Sequence, residues 1–426
     1  TLGRTSVTTL AAEFGVVDNS CVEATSSISG EDKVPEFTEN EEYFVESLSG
    51  YTYTWVVVGG TIDSGDGTNI IEVDWGAASA GRVKVVGKYN GCSADSVFLD
   101  VTVFTTIISD GAGGGSWDDS GSWNGGEIPG SINDVEIQLG DVSTMNSDVT
   151  VSDLTINGTL DQNGFVLTVT GDYTINGTHN SSGDDKLLLT GNKTNIDGTG
   201  TMAVGGRFQI TTGNKFILSS ANINVTSGNL YIDSDLSVAN SGTFTISGEI
   251  QGANSNSTLE NAANSVLYAG GAASNAILST GKLKAFANNN TVYYTRSGTQ
   301  NVKVPVNGEY YDLVLQSTNS NLSGNVTVLG DLETNNTFDP SGYNFNLEGS
   351  WTNNGTFVPG TTILTLSGTS SQTIQGTLYG LVINKSLGKV NLSDNLTITN
   401  SLDLTDGNLD LGSFDLIIQN SASAAV

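Results

Sequence analysis

The sequence predicts an all-β chain, in which a small N-terminal antiparallel β-sandwich is followed by a parallel β-helix, or β-solenoid. The first observation is composition: the 426 residues include 53 glycines and only 5 prolines, and the aliphatic residues fall in short alternating runs. Asn, Ser and Thr fill most of the gaps between these runs. Such a composition is typical of many short strands joined by tight turns.

The second observation is internal repetition, which is the sequence signature of arrays and solenoids. Residues 297–299, 308–315 and 322–328 return in similar form 68 to 70 positions later, at 367–369, 376–383 and 392–398. A shorter period lies inside the long one. The largest matching pairs lie 19 residues apart: 154–159 (LTINGT) with 173–178 (YTINGT), and 332–337 (LETNNT) with 351–356 (WTNNGT).

Residues 1–105 form the predicted sandwich. Strand signals 10 to 15 residues apart are separated by glycine-rich turns, a pattern typical of small antiparallel sandwiches. These signals are 43–45, 51–58, 70–75, 82–89 and 96–103. The alternation places Trp55 and Trp75 on inward faces.

Four segments of this region resemble the PKD-like, immunoglobulin-like modules of large bacterial surface proteins: 53–62 (YTWVVVGGTI), 65–69 (GDGTN), 73–76 (VDWG) and 91–92 (GC). The resemblance implies an immunoglobulin-like spacer and adhesion module without catalytic residues. Cys21 and Cys92 bracket most of this region. In an exported protein such a pair is usually a disulfide, whereas in a cytosolic protein it would be two thiols. We expect export, and therefore the disulfide.

Residues 106–130 are predicted to be a glycine-rich joint that ends in a cap for the β-helix. Trp117 and Trp123 stand at the head of the strand array, where apolar side chains could cover the open end of a sheet. The segment from Trp117 to Ile137 is similar to the opening segment of β-helical regions in proteins exported by the type IX secretion route. This similarity implies a bacterial cell-surface location.

Residues 131–426 are predicted to be the β-helix. A string of small sandwiches would need repeats of about 80 to 100 residues, whereas turns of about 20 residues fit the shorter period. With ~4.8 Å per turn, we expect a rod of roughly 60 to 70 Å. The long repeat, at 291–360 and 362–426, would then be a block of about three turns. Residues 180–290 keep the composition but lose clean register, which predicts irregular turns there.

The charge excludes one class of partner. The chain has 45 acidic and 15 basic residues, a formal net charge of −30. Such an excess repels phosphate backbones, so nucleic-acid binding is not expected. The sequence contains no run of about 18 apolar residues, so it predicts no transmembrane helix.

One group of residues could support sugar cleavage. His179, the only histidine, precedes Asp184, Asp185 and Lys186. Paired carboxylates in different environments can divide the acid and base roles of glycoside cleavage. The other interpretation, which we favour, is a polar loop between two turns, with no catalytic residue.

One segment contains candidate ligands for a metal ion. Asp63, Asp66 and Asn69 offer oxygen ligands at short spacing, which suits Ca²⁺. The same residues form a hairpin-turn signal that needs no ion, so no cofactor is expected apart from this calcium candidate. The frequent Asn-x-Ser/Thr sequences, such as the one at Asn157, are interpreted as turns with stacked asparagines rather than glycosylation sites.

Two functions follow from these observations. The favoured one is a non-enzymatic extracellular structural or adhesive protein, a surface stalk or filament-forming subunit. Its expected partners are further copies of itself in filaments or arrays, and surface glycans or other cells. The alternative is a polysaccharide-active β-helix enzyme, either a lyase or a glycoside hydrolase.

Overall fold

The structure is a computed structural model that describes residues 26–90, 92–181, 185–191, 195–211, 216–218, 224–271, 277 and 280–420. The chain divides into two compact units. The first unit comprises the chain up to Thr106 together with the short segment Ile132–Asp134. The second unit comprises Ile107–Ser131 and the chain from Val135 onward. The predicted fold class is confirmed: the chain is nearly all-β, and its helices in the described ranges are three-residue 3-10 turns at Ser120–Ser122, Asn124–Gly126 and Val306–Gly308.

The first unit is a sandwich of two sheets. Its strands, in chain order, are β1 Lys33–Pro35, β2 Glu41–Phe44, β3 Thr52–Val58, β4 Gly60–Ser64, β5 Ile70–Trp75, β6 Ser79–Tyr89, β7 Cys92–Ser93 and β8 Val97–Phe104. One sheet has the order β1-β8-β6-β3, with β7 also on β6, and the other has the order β2-β5-β4. All pairs are antiparallel except β1 with β8.

Strict alternation along these strands builds the core of the sandwich. In β3, Tyr53 and Trp55 are buried while their neighbours are exposed, because successive strand side chains point to opposite faces. Trp75 is also buried, and its ring meets that of Tyr43 edge-on with centroids 6.0 Å apart. The structure thus places both predicted tryptophans on inward faces.

The second unit is a parallel β-solenoid of about 13 turns. Its strands are β9 Thr106–Ile108, β10 Gly115–Ser116, β11 Asp134–Ile137, β12 Val142–Thr144, β13 Val149–Val151, β14 Leu154–Ile156, β15 Thr159–Asp161, β16 Val166–Val169, β17 Tyr173–Ile175, β18 Thr178–Asn180, β19 Lys186–Leu189, β20 Asn195–Asp197, β21 Thr201–Ile210, β22 Phe216–Leu218, β23 Asn224–Ile232, β24 Ser237–Asn240, β25 Thr243–Ile246, β26 Ile250–Gly252, β27 Thr258–Asn261, β28 Val266–Ala269, β29 Lys282–Lys284, β30 Thr291–Tyr294, β31 Thr299–Val302, β32 Glu309–Tyr310, β33 Asp312–Leu315, β34 Asn319–Leu322, β35 Val326–Val328, β36 Leu332–Thr334, β37 Thr337–Asp339, β38 Phe345–Leu347, β39 Trp351–Asn353, β40 Thr356–Phe357, β41 Ile363–Leu366, β42 Gln372–Asn384, β43 Val390–Asp406, β44 Leu409–Asp410 and β45 Leu416–Ile418.

Most strands pair in parallel with the strand one turn later, so the sheets run along the stack of turns. One hydrophobic core, from Ile107 to Leu402, fills the interior. Trp117 and Trp123 belong to this core; their ring centroids lie 4.9 Å apart, and Trp123 Nε1 donates to the Trp117 carbonyl. The predicted cap residues are therefore packed in the first part of the solenoid.

The 19-residue period is the length of one regular turn. Leu154 pairs with Tyr173, and Leu332 pairs with Trp351, each 19 positions on. The repeated Asn-Gly sequences follow from this stacking. Asn176 Nδ2 donates to Asn157 Oδ1 at 2.9 Å, forming a ladder, and a Cβ added at Gly177 would lie 1.9 Å from the Gly158 carbonyl oxygen. Only glycine permits this close approach of two turns.

Turns in the middle of the unit are longer, in agreement with the predicted loss of register. Leu259 pairs with Leu283, 24 positions on, and Leu267 pairs with Val292, 25 positions on. The longer turns in this region are accompanied by a buried amide cluster. Asn261 accepts a hydrogen bond from Asn240 at 2.8 Å and donates to the Thr291 carbonyl at 3.1 Å.

The 68-to-70-residue echo is not a whole number of turns. Leu313 lies in the sheet that contains β30 and β36, whereas its counterpart Leu381 lies in the sheet that contains β38 and β41. The two copies of the repeat therefore occupy different faces of the solenoid. Three turns separate Val326 from Leu381, and Val326 itself lies two faces after Leu313, so the expectation of a block of about three turns is revised to three turns and two further faces.

A buried lysine stands inside the last turns. Lys385 is 1% exposed, and its Nζ donates to the Ser367 carbonyl and to Gln372 Oε1, both at 2.7 Å. Burial lowers the pKa of Lys385. These two hydrogen bonds compensate the loss of water around the amine.

Candidate functional site

A cleft of the solenoid lies where two of its sheets end. β39 is the last strand of one sheet and β40 is the last strand of another. The following strand, β42, pairs with β41 only from Gly380 onward, and its first half pairs only with β43. Residues 372–378 are thus not hydrogen-bonded to β39 or β40, and a cleft of about 350 Å³ separates the turns.

Aromatic rings form one wall of this cleft. Trp351 and Phe357 line it, both half-buried, with their ring centroids 4.9 Å apart and their planes at 89°. Behind them, Phe338 and Phe345 pack edge-on against Trp351 at 6.4 and 5.6 Å. Trp351 occupies an inward ladder position above Leu332, so its orientation is fixed by the core.

Two side-chain amides stand at the rim with their oxygens already engaged. Asn353 Oδ1 accepts from Thr334 Oγ1 at 2.8 Å and from the Gly355 amide at 3.2 Å. Gln375 Oε1 accepts from Ser393 Oγ at 2.8 Å. Among the described residues, no acceptor binds Asn353 Nδ2 or Gln375 Nε2, so both amide groups keep donors for a ligand.

A break in the ladder shapes the opposite wall. The register of β42 with β43 shifts between Ile374 and Gly376, which leaves Gln375 unmatched. Gly376 has φ of +88°, a left-handed conformation that favours glycine, and a Cβ added there would meet no atom within 4 Å. Bulges of this kind redirect side chains at the edges of sheets. Here the shift places Gln375 on the cleft.

The sugar-cleavage candidates do not form a site. His179 is fully buried in the solenoid core, stacked between Leu160 and Met202, and not in a loop. The polar-loop interpretation is therefore wrong for His179, because alternation in β18 turns it inward. Asp185 is buried, Lys186 is exposed on β19, and Asp184 lies outside the described residues.

The histidine is held by two buried partners. Its Nδ1 lies 2.8 Å from the Tyr173 hydroxyl and its Nε2 lies 3.0 Å from Gln162 Oε1. Gln162 Nε2 donates to two carbonyls, so its oxygen faces the ring. The proton therefore sits on Nε2, and Nδ1 accepts from the tyrosine. Burial lowers the pKa of His179 to about 3.

Residues 22–103 match the PKD-like domain family. The match lies within the first unit and agrees with the two-sheet sandwich described above. No curated protein and no solved structure matches the chain.

The PKD-like domain holds the remaining predicted site residues. Asp63 lies at the end of β4, and Asp66 and Asn69 lie in or beside the turn before β5. Asn69 Nδ2 donates to the Val45 carbonyl at 3.1 Å, so its amide stabilises the turn. No cluster of three or more His, Cys, Asp or Glu side chains suited to a metal occurs in the described ranges.

Cys92 of the PKD-like domain is disulfide-bonded. Its expected partner, Cys21, lies outside the described residues, so the pairing stays a prediction. No helix among the described residues is long and apolar enough to cross a bilayer.

Sequence reasoning missed the cleft between β39 and β42, although two signals were present. Trp351 replaces the leucine of the preceding turn at an inward ladder position, and it is the only tryptophan in residues 131–426 of the sequence. Gly376, within the long repeat, marks the bulge. Neither signal shows by itself that two sheets stop there.

Proposed function

We propose that this chain is a non-enzymatic extracellular structural and adhesive protein of a bacterial cell surface. Its PKD-like domain would serve as a spacer, and its β-solenoid would carry the adhesive surface. The observation that carries this proposal is the continuous core of the solenoid, which runs from Ile107 to Leu402. The inward half of each strand is committed to stacking, so recognition falls to the outer faces and to breaks in the stack.

The placement of the ionisable candidates supports the same proposal. Glycoside cleavage needs two carboxyl groups that flank the bond to be cleaved. In the described ranges, His179 points into the core and Lys186 points out of it, so these residues cannot act on one substrate. The buried histidine serves packing and hydrogen bonding.

Export and assembly are further parts of this proposal. The resemblance of residues 117–137 to the opening segment of type IX-exported β-helices supports an extracellular location. A net charge of −30 favours solubility at a surface and contact with neutral rather than anionic partners. Self-association into filaments is consistent with a repetitive fold. Measuring the sedimentation coefficient as a function of protein concentration tests it separately.

Attachment under flow tests the proposal. Beads carrying the chain, and beads carrying albumin at equal density, are passed over bacterial cells and over surfaces coated with neutral or anionic polysaccharides. We expect the chain to retain beads on at least one surface, and the effluent to contain no new reducing ends. Equal retention of the two bead types on every surface would contradict the adhesive role, and release of reducing ends would show an enzyme.

A further inference from the structure

We propose that the cleft between β39 and the first half of β42 binds a neutral glycan. This inference deepens the proposed adhesive function by naming the ligand class and the place where it binds. Four features of the cleft carry it: its aromatic wall, its amide donors, its lack of charge and its interrupted strand pairing.

The aromatic wall suits the apolar face of a sugar ring. Trp351 and Phe357 present ring surface to the cleft and are held from behind by Phe338 and Phe345. Aromatic side chains give a large contact area at low entropic cost when their orientation is already fixed. The C–H groups on one face of a pyranose can stack on such a surface while its hydroxyl groups stay at the rim.

The rim provides groups for those hydroxyls. Asn353 and Gln375 keep their amide donors, while their oxygens are held by Thr334, Gly355 and Ser393. Thr373 and Thr377 also line the cleft, and a threonine hydroxyl can both donate and accept. A ligand rich in hydroxyl groups matches this mixture of fixed donors and adaptable hydroxyls.

The absence of charge selects a neutral ligand. All nine residues that line the cleft are uncharged. An anionic glycan would find no cation to pair with there and would be repelled by a chain with net charge −30. The cavity of about 350 Å³ is at the lower end of the range of about 300–1,000 Å³ for small-ligand sites, which suits one or two sugar units.

A strand from a second copy is the competing occupant, because strand edges flank the cleft. The edges offer little for pairing: β39 has three residues, β40 has two, and the facing strand is irregular at Gln375, opposite a bulge in β43. Short and bulged edges are features that oppose strand addition. The geometry therefore favours a sugar over a peptide.

Affinity electrophoresis tests the inference with the full chain. Native gels contain one soluble polysaccharide each: dextran, mixed-linkage β-glucan, galactomannan, xyloglucan or arabinoxylan, with polygalacturonate as the anionic control. We expect retardation by at least one neutral polymer and none by polygalacturonate. Retardation by no neutral polymer, or by polygalacturonate alone, would overturn the inference.

Four variants locate the binding. Trp351→Ala should raise the dissociation constant at least about tenfold, because the stacking surface is lost. Gln375→Ala changes an exposed rim position and should leave folding intact. It should raise the dissociation constant by about three- to tenfold through the loss of one hydrogen bond. Tyr343→Ala and Gln251→Ala, an exposed ring and an exposed amide outside the cleft, are the matched controls and should bind like the wild type.

The outcomes separate this inference from the proposed function. Retardation that neither cleft variant changes would place the glycan elsewhere, which overturns the cleft and leaves the adhesive role standing. A concentration-dependent dimer that is lost in Gln375→Ala would assign the cleft to a second copy and overturn the glycan. Shortening of the polysaccharide during the experiment would instead contradict the non-enzymatic function.

Discussion

The buried histidine makes a specific prediction about stability and pH. His179 is the only histidine in the chain, and burial lowers its pKa from 6.5 to about 3. In the unfolded chain the imidazole takes a proton near pH 6.5. Between these two values the unfolded state binds more protons than the folded state. The free energy of unfolding therefore falls as the pH falls from 6.5 towards 3.

The magnitude follows from the two pKa values. Linkage gives a loss of about 2 kcal/mol in the free energy of unfolding between pH 7.5 and pH 5.0, since each pH unit below 6.5 costs about 1.4 kcal/mol. A change of that size is easily resolved in a denaturation curve. The loss in the free energy of unfolding concerns the solenoid alone, because His179 lies in the solenoid core.

Urea unfolding at pH 7.5 and 5.0, followed by circular dichroism, is the assay. The control is His179→Gln, whose amide can still bond the Tyr173 hydroxyl and Gln162 but does not titrate. The variant retains every carboxylate, so the difference between the two pH dependences isolates the histidine. We expect the wild type to lose about 2 kcal/mol more than the variant. Equal losses in the two proteins would refute the reasoning, as would an imidazole NMR signal that titrates near pH 6.5.

Three further predictions concern the stacking of turns, each measured as the free energy of unfolding in urea. Gly177→Ala should destabilise the solenoid by at least about 2 kcal/mol, because the turns approach too closely for a Cβ. Gly298→Ala is the control and should change stability by less than about 0.5 kcal/mol, because a Cβ there would meet its nearest neighbour, Arg296 Nε, at an ordinary contact distance of 3.5 Å. Equal effects would show that the close approach is not real. Lys385→Met should lower the free energy of unfolding by about 2 kcal/mol, because it leaves two buried acceptors without a donor. The control Lys389→Met breaks an exposed ion pair and should cost under about 1 kcal/mol. A larger loss in Lys389→Met than in Lys385→Met would contradict the buried placement of Lys385. Asn261→Ala should cost about 2 to 4 kcal/mol, since it removes a buried amide bonded to both neighbouring turns, and a neutral effect would argue against the amide cluster.

The regular part of the fold was readable from the sequence because stacking imposes a period. The 19-residue echo gave the turn length, and the repeated Asn-Gly sequences marked positions where asparagines form ladders and glycines allow close approach. The same echo, extended by one residue, aligns His179 with Leu160. Leu160 is a core residue, so this alignment places the histidine in the core instead of a loop.

The cleft could not be derived in the same way. It depends on which strands fail to pair, and pairing between turns is a property of the whole stack. The long repeat predicts equivalent positions for similar segments such as 308–315 and 376–383, whereas the two segments fold onto different faces. Sequence similarity preserved the alternation of those segments, while the length of the intervening turns decided the face on which each one lies.

The most direct test of the central claim, that the chain binds and does not cleave, is the mass of a glycan before and after contact with it. The protein is incubated for a day with each neutral polysaccharide and with polygalacturonate, and the bound and free fractions are analysed by mass spectrometry after elution. We predict that at least one neutral glycan is retained with its chain length unchanged. Shorter chains, new reducing ends or unsaturated ends in any sample would contradict this account and identify a polysaccharide-active enzyme.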